Sequence, residues 1–210
     1  MISYEEKKFR LIGLQPLLGG VSLDKEIFTK FIATKARENE KDKAKADVEN
    51  VIDYNGEDKI TGFYRDKDGN VIMKGYQIKG FLKESAKALK DQLGLASYLS
   101  KVDNFIFVKE DSIPLMRDGK VVSEPDGYLE RPLRAETAQG PRVSLAKSEM
   151  VEGEWYCDIT VRVIANKGTA KSVAVTMDLV EQLLSYGQFK GLLQWRNAGY
   201  GSFRVEEIKS

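Results

Sequence analysis

Glu154-Trp-Tyr-Cys-Asp-Ile-Thr-Val-Arg-Val-Ile164 alternates apolar and polar side chains from Trp155 to Val163. Trp155, Cys157, Ile159, Val161 and Val163 point one way, and Tyr156, Asp158, Thr160 and Arg162 the other, which is the period of a β-strand. Downstream, Leu179, Val180, Leu183 and Leu184 line one side of a short helix over Asp178–Tyr186, and Ser202–Ile208 reads as a closing strand. Upstream, Asn104-Phe-Ile-Phe-Val108 reads as a buried strand, with the two phenylalanines in the core. A helix before it carries Leu82, Ala86, Leu89, Leu93 and Ala96 on one face, and Lys83, Lys87 and Lys90 on a stripe beside it. Phe9–Leu18 supplies a first buried strand, stopped by Gly19-Gly20. The order strand, helix, strand, strand, helix, strand predicts an α+β chain with a ferredoxin-like, RRM-like β-α-β-β-α-β core. That fold hosts many functions and decides none by itself.

The remaining segments are expected to decorate this core within a single domain over 1–210. Ser22 could cap a helix through Ile27, Phe28, Phe31 and Ile32, although strand is open there too. Residues 35–50 hold no large apolar side chain except Val48, so the region 33–60 is expected to be a charged insertion. Asp68-Gly69 marks a hairpin turn, and Asp118-Gly119 and Asp126-Gly127 mark two more. Glu130–Gly140, between Pro132 and Pro141, has no clear period, and 117–150 is expected to be a central loop or hairpin insertion.

The composition excludes several chemistries. With 210 residues the chain can bury a sizeable core. It has no histidine, so no Ser-His-Asp triad, Cys-His dyad or His-ligated metal is available. One cysteine, Cys157, forms neither an internal disulfide framework nor a Cys-rich zinc site. No apolar run approaches the ~18 residues of a membrane helix, and no signal-peptide pattern opens the chain. A cytoplasmic protein with no membrane partner and no cofactor is therefore expected.

The net charge is +1, from 33 basic and 32 acidic residues, but the charge is segregated. Lys79, Lys83, Lys87 and Lys90 face a single acid, Glu84, and Tyr186–Arg204 holds Lys190, Arg196 and Arg204 with no acid. Gly75-Tyr-Gln-Ile-Lys-Gly80 has Walker-like glycine spacing but lacks the lysine and hydroxyl residue that must follow. Tyr76–Ser85 is read as a strand end turning through Gly80 into a basic helix, a natural phosphate seat flanked by Lys79 and Lys83. In the second basic stretch Gly187, Gly191, Gly199 and Gly201 would let backbone approach a ligand, while Trp195, Arg196 and Tyr200 could stack on or pair with a nucleotide. Arg131, Arg134 and Arg142 are candidate phosphate partners, since a planar guanidinium makes paired hydrogen bonds. The competing expectation for these arginines is salt bridging to Glu130, Glu136 and Glu149.

Ile78-Lys-Gly-Phe-Leu-Lys83, the Phe-Val strand after the helix and the glycine-rich run Gly187–Gly201 together resemble the RAMP superfamily, the repeat-associated subunits of CRISPR effector complexes. Lys83 matches that family's basic position, whereas Lys79 and Phe81 replace its small Pro/Gly/Ser pattern. Glu130–Arg142 also resembles uncharacterised phage and prophage proteins. The resemblance implies a ferredoxin-like core, a guide or target RNA (or single-stranded DNA) backbone as ligand, and head-to-tail homo-oligomers or CRISPR-type effector subunits as partners. Its guide-processing branch usually needs a histidine. The leading expectation is a non-catalytic binder using Lys79, Lys83, Arg131, Arg134, Arg142, Lys190, Arg196, Tyr200 and Arg204. One alternative is a metal-dependent endoribonuclease with Asp24 as a weak catalytic candidate. The other is a phage-encoded interaction protein that mimics or joins a CRISPR assembly.

Overall fold

The computed structural model describes residues 2–23, 60–137, 140–164, 166 and 173–209, with backbone alone over 133–137 and 140–145. The expected charged insertion and Asp24 lie outside these residues, apart from position 60. In chain order the strands are β1 (Glu5–Gly13), β2 (Leu17–Leu18), β3 (Val21–Ser22), β4 (Ile60–Gly62), β5 (Tyr64–Arg65) and β6 (Val71–Lys74). Helices α1 (Gly75–Leu89) and α2 (Tyr98–Phe105) follow, then β7 (Ile106–Val108), β8 (Ser112–Pro114), β9 (Met116–Arg117) and β10 (Lys120–Val121). The chain continues through β11 (Gly127–Thr137), β12 (Gly140–Val151), β13 (Tyr156–Val163), α3 (Met177–Ser185) and β14 (Phe203–Glu207). The protein is thus a mixed α+β fold.

Its main sheet runs β14–β1–β13–β7, with every neighbour antiparallel. Cys157 stands opposite Leu11 and Asp158 opposite Arg10. The apolar face of β13 is fully inside, with Trp155, Cys157, Ile159 and Val161 all at 0% exposure. Each such side chain contributes roughly 1.5–3 kcal/mol. Helices α1 and α3 supply the other side of that core through Ile78, Phe81, Leu82, Val180, Leu183 and Leu184. The Phe81 ring meets Phe203 of β14 edge-on, with centroids 5.1 Å apart. The opposite face is polar: Arg10 makes a two-point ion pair with Asp158 at 2.8 and 2.9 Å and lies over the Tyr156 ring.

Leu93 and Ala96 lie beyond the end of α1 at Leu89 and not on its face, and three further readings of local structure change. First, Phe9–Leu18 is not one strand. The indole of Trp155 occupies the space a side chain at Gly13 would need, its Nε1 donates to the Gln15 carbonyl at 2.9 Å, and the chain leaves for a second sheet at Leu17. Second, Asn104 and Phe105 end α2, so β7 is only three residues long and Phe107 is 40% exposed. Tyr98, Val102 and Phe105 sit at helical spacing, and that stripe overrides the short alternation Phe-Ile-Phe.

Third, α1 starts at Gly75 and not after Gly80. The Lys74 N–H donates to the Gln77 side chain at 2.8 Å, and the Gly75 N–H to the Asp111 carbonyl at 3.0 Å. A Cβ at Gly75 would strike the Glu110 carbonyl, so glycine is required there. Gly80 is an exposed helix-interior residue with no atom within 4 Å of its would-be Cβ. Gly80→Ala is therefore expected to stabilise the protein by about 0.4–1 kcal/mol, a Tm rise of roughly 1–4 °C in a thermal melt. Destabilisation would mean that Gly80 is a turn.

A second sheet runs β11–β12–β4–β3, with β2 also on β12. β11 and β12 pair as long antiparallel strands from Gly127↔Met150 to Thr137↔Gly140, and Glu130–Thr137 lies in the first of them. A third sheet, β5–β6–β8, closes through the Asp68-Gly69 turn, where the Asp66 carboxylate accepts from the Asp68 and Asn70 N–H groups. The second and third sheets are joined by a buried ion pair. Both oxygens of Glu149 on β12 take Arg65 of β5, at 2.9 and 3.0 Å, and Oε2 also accepts the Phe63 N–H at 2.9 Å. Among the described residues, no helix is long and apolar enough to cross a membrane.

Candidate nucleic-acid interface

The connection from α3 to β14 builds the most developed surface site. A 3-10 turn over Tyr186–Gln188 follows α3 directly, and Gly187 packs flat on the Phe203 ring. At Gly191 the chain folds back against the backbone of Tyr200, Gly201 and Ser202. The Leu192 N–H donates to the Gly201 carbonyl at 3.0 Å, and the Gly201 N–H to the Pro16 carbonyl at 2.8 Å. Gly199 (φ +90°) and Gly201 (φ +67°) take the left-handed region. Three of the four glycines therefore close the loop on itself, and Gly199 alone faces open space.

Leu193 (φ +60°) and Trp195 (φ +52°) are left-handed too, a conformation that disfavours residues with a Cβ. They carry the loop round to a second 3-10 turn, Arg196–Ala198. The Trp195 ring then sits between two partners. The Arg131 guanidinium of β11 lies over it, 4.5 Å from the centroid, and Tyr200 meets it edge-on at 6.2 Å. A surface cleft of about 420 Å³ opens here, walled by Arg131 and Pro132 on one side and residues 193–198 on the other. The carboxylates of Glu130 and Glu149 are engaged by Lys147, at 2.9 Å, and by Arg65.

Two further candidates reach the loop through one acid. Glu84 on α1 holds Lys190 at 2.6 Å with one oxygen and Arg196 at 2.7 Å with the other. Glu84 is the site residue that sequence reasoning passed over, though a lone acid in a lysine-rich helix was the available signal. Gln194 and Asn197, which also line the cleft, gave no signal at all.

The other candidates lie elsewhere. Lys79 turns to the end of α2, where its Nζ donates to the carbonyls of Val102 (2.6 Å), Asp103 (3.4 Å) and Ile106. Burial there pushes its ammonium down to about 8, against the opposing pull of Asp103. Lys83 pairs with Asp103 at 2.6 Å. Lys79 lines a separate pocket with Tyr76, Phe107 and Glu110, and not the Trp195 cleft. Arg204 is exposed on β14, opposite Ile12, and pairs with Glu206. Arg134 and Arg142 fall in the hairpin backbone, opposite Val143 and Ala135. Asp24 lies outside the described residues, among which no group of three or more Asp, Glu or Cys could hold a metal ion.

No protein-family model matches the sequence, and no curated protein matches it. Among solved structures, the chain is similar to one chain of the cryo-EM structure of the Type III-B Cmr-beta bound to cognate target RNA, with a TM-score of 0.52 and 13% identity. The likeness covers 98% of this chain and 61% of that one, and at this identity it concerns the fold alone. This chain therefore spans about three-fifths of that neighbour's length.

Proposed function

We propose that the protein is a non-catalytic, RAMP-like nucleic-acid-binding subunit that grips an RNA backbone, as a repeated part of a CRISPR-type ribonucleoprotein. The observation that carries this reading is the cleft itself, where Arg131 and Arg196 flank an accessible tryptophan at the joint of hairpin and glycine-rich loop. Guanidinium groups beside an aromatic platform suit a strand that presents both phosphates and unpaired bases. The fold gives further support. The order β14–β1–β13–β7, with α1 following β1 and α3 following β13 in the chain, supports reading the core as ferredoxin-like. The structural neighbour belongs to an assembly bound to target RNA.

Glu84 sets the electrostatic state of this surface. In the free protein it offsets Lys190 and Arg196, so a phosphate must compete with a carboxylate for both. Filter binding of a single-stranded RNA at two salt concentrations tests the reading. Affinity should fall steeply with salt, and Arg131→Ala should make the slope of log K against log salt shallower by about one unit. Glu84→Gln should act the opposite way, tightening binding at low salt and steepening the slope by about one to two units. Binding that is absent or indifferent to salt would overturn the proposal.

A further inference from the structure

We infer that the interior of the Trp195 cleft is a seat for one unstacked nucleobase of a single strand, with the phosphates left to the cations of its rim. This deepens the proposed function and rests on it, but it makes a separate claim about which part of the nucleotide enters. The lining argues first. Pro132, Leu193 and the Trp195 ring are apolar, and the amides of Gln194 and Asn197 are neutral groups that can both donate and accept. Such a set matches the edges and faces of a base far better than a dianionic or monoanionic phosphate. Arg196, the second cation of the rim, already has Glu84 at 2.7 Å, so the cleft's charge is partly offset before any ligand arrives.

The position of Arg131 argues next. Its guanidinium lies 4.5 Å from the Trp195 ring centroid, the arrangement in which a flat π-system covers an indole face. A base can take that place, or stack on the outer side of the guanidinium and extend the pile. Tyr200, edge-on at 6.2 Å, holds the indole from the other direction. The volume, about 420 Å³, lies within the ~300–1,000 Å³ of ordinary small-ligand sites.

Backbone strain is the independent observation. Leu193 and Trp195 both hold φ near +55°, at 60° and 52°, although neither is glycine. Left-handed residues with bulky side chains persist only where the surroundings impose them, and they cluster at ligand sites. Here the loop is pinned by the Leu192–Gly201 and Gly201–Pro16 hydrogen bonds, so the strain fixes the indole at the cleft mouth before binding.

The test uses the intact protein and a pair of matched single-stranded RNA oligonucleotides, one with all bases and one abasic at its central positions. Trp155 is wholly buried, so fluorescence quenching on binding should come from Trp195. The complete strand is expected to quench that emission and to bind about 5- to 100-fold more tightly than the abasic strand. Trp195→Ala should erase the difference between the two strands while leaving the salt slope unchanged, and Trp195→Phe should restore part of it. Gln194→Ala with Asn197→Ala, which leaves the indole in place, should weaken only the complete strand. Equal binding of both strands with the steep salt dependence intact would overturn the base pocket and leave the backbone-gripping reading standing. Failure of both strands to bind would overturn both readings.

Discussion

Glu149→Ala is expected to lower stability by about 3–5 kcal/mol, read as a fall in Tm of roughly 6–20 °C or a matching loss in urea unfolding. The carboxylate and the Arg65 guanidinium are each only 7% exposed, and they meet through both carboxylate oxygens. Removing the acid leaves a buried guanidinium with the Phe63 carbonyl as its remaining described partner, at 3.5 Å, and strands the Phe63 N–H as well. The size of the effect measures the cost of an orphaned charge and not the net strength of the pair, because an ion pair of this kind gains little over apolar residues of similar volume. The double replacement Arg65→Met with Glu149→Leu is therefore expected to be far milder than Glu149→Ala alone. A single-variant loss below about 1 kcal/mol would show that the interior is hydrated and the clamp is not closed. Because β12 is half of the hairpin that brings Arg131 to Trp195, the same variant should weaken RNA binding under conditions where it remains folded.

Glu149 also shows where the sequence is silent. β13 and α3 were legible because their pattern is local: alternation from Trp155 to Val163, and Leu179, Val180, Leu183 and Leu184 on one side of a helix. The Asp68-Gly69 turn was legible for the same reason. The start of α1 was not. Its cap is a lysine N–H held by Gln77, and its obligatory glycine at position 75 is dictated by the Glu110 carbonyl, brought back beside it by β7 and the loop after it. Long-range geometry of that kind leaves no periodic trace. The candidate site divides in the same way. Composition pointed to a basic, glycine-bearing stretch with Trp195, Arg196 and Tyr200, but the meeting with Arg131 depends on the register of β11 on β12 and of β12 on β2. Lys79 and Lys83 share the positive charge of the other candidates, yet the helix phase turns them to the end of α2, where carbonyls and Asp103 already engage them.

Gly191→Ala is expected to be the most damaging single-methyl change in the loop, costing about 3 kcal/mol or more, because nothing near it can move independently. The added Cβ would overlap the Tyr200 carbonyl and come within 2.5 Å of the Gly201 carbonyl carbon and 2.6 Å of the Ser202 nitrogen, all of them backbone atoms. Overpacking of a rigid site costs typically 1–3 kcal/mol, and relief here requires the two limbs of the loop to part. Parting them breaks the Leu192–Gly201 hydrogen bond and strains the Gly201–Pro16 bond that ties the loop to the first strands, each worth about 1 kcal/mol. Gly199→Ala is the contrasting change. Its Cβ would meet nothing within 4 Å, so only the left-handed φ of +90° opposes it, at roughly 1–2 kcal/mol. Thermal melts of the two variants should therefore differ, with Gly191→Ala the lower. Binding should separate them further. Gly191→Ala displaces Tyr200 from the Trp195 edge and should reduce RNA affinity even in molecules that remain folded, whereas Gly199→Ala leaves that contact and should bind nearly as the wild type does. Equal melting of the two variants would mean that the loop is open at Gly191, and the pinned indole on which the base pocket depends would be lost with it.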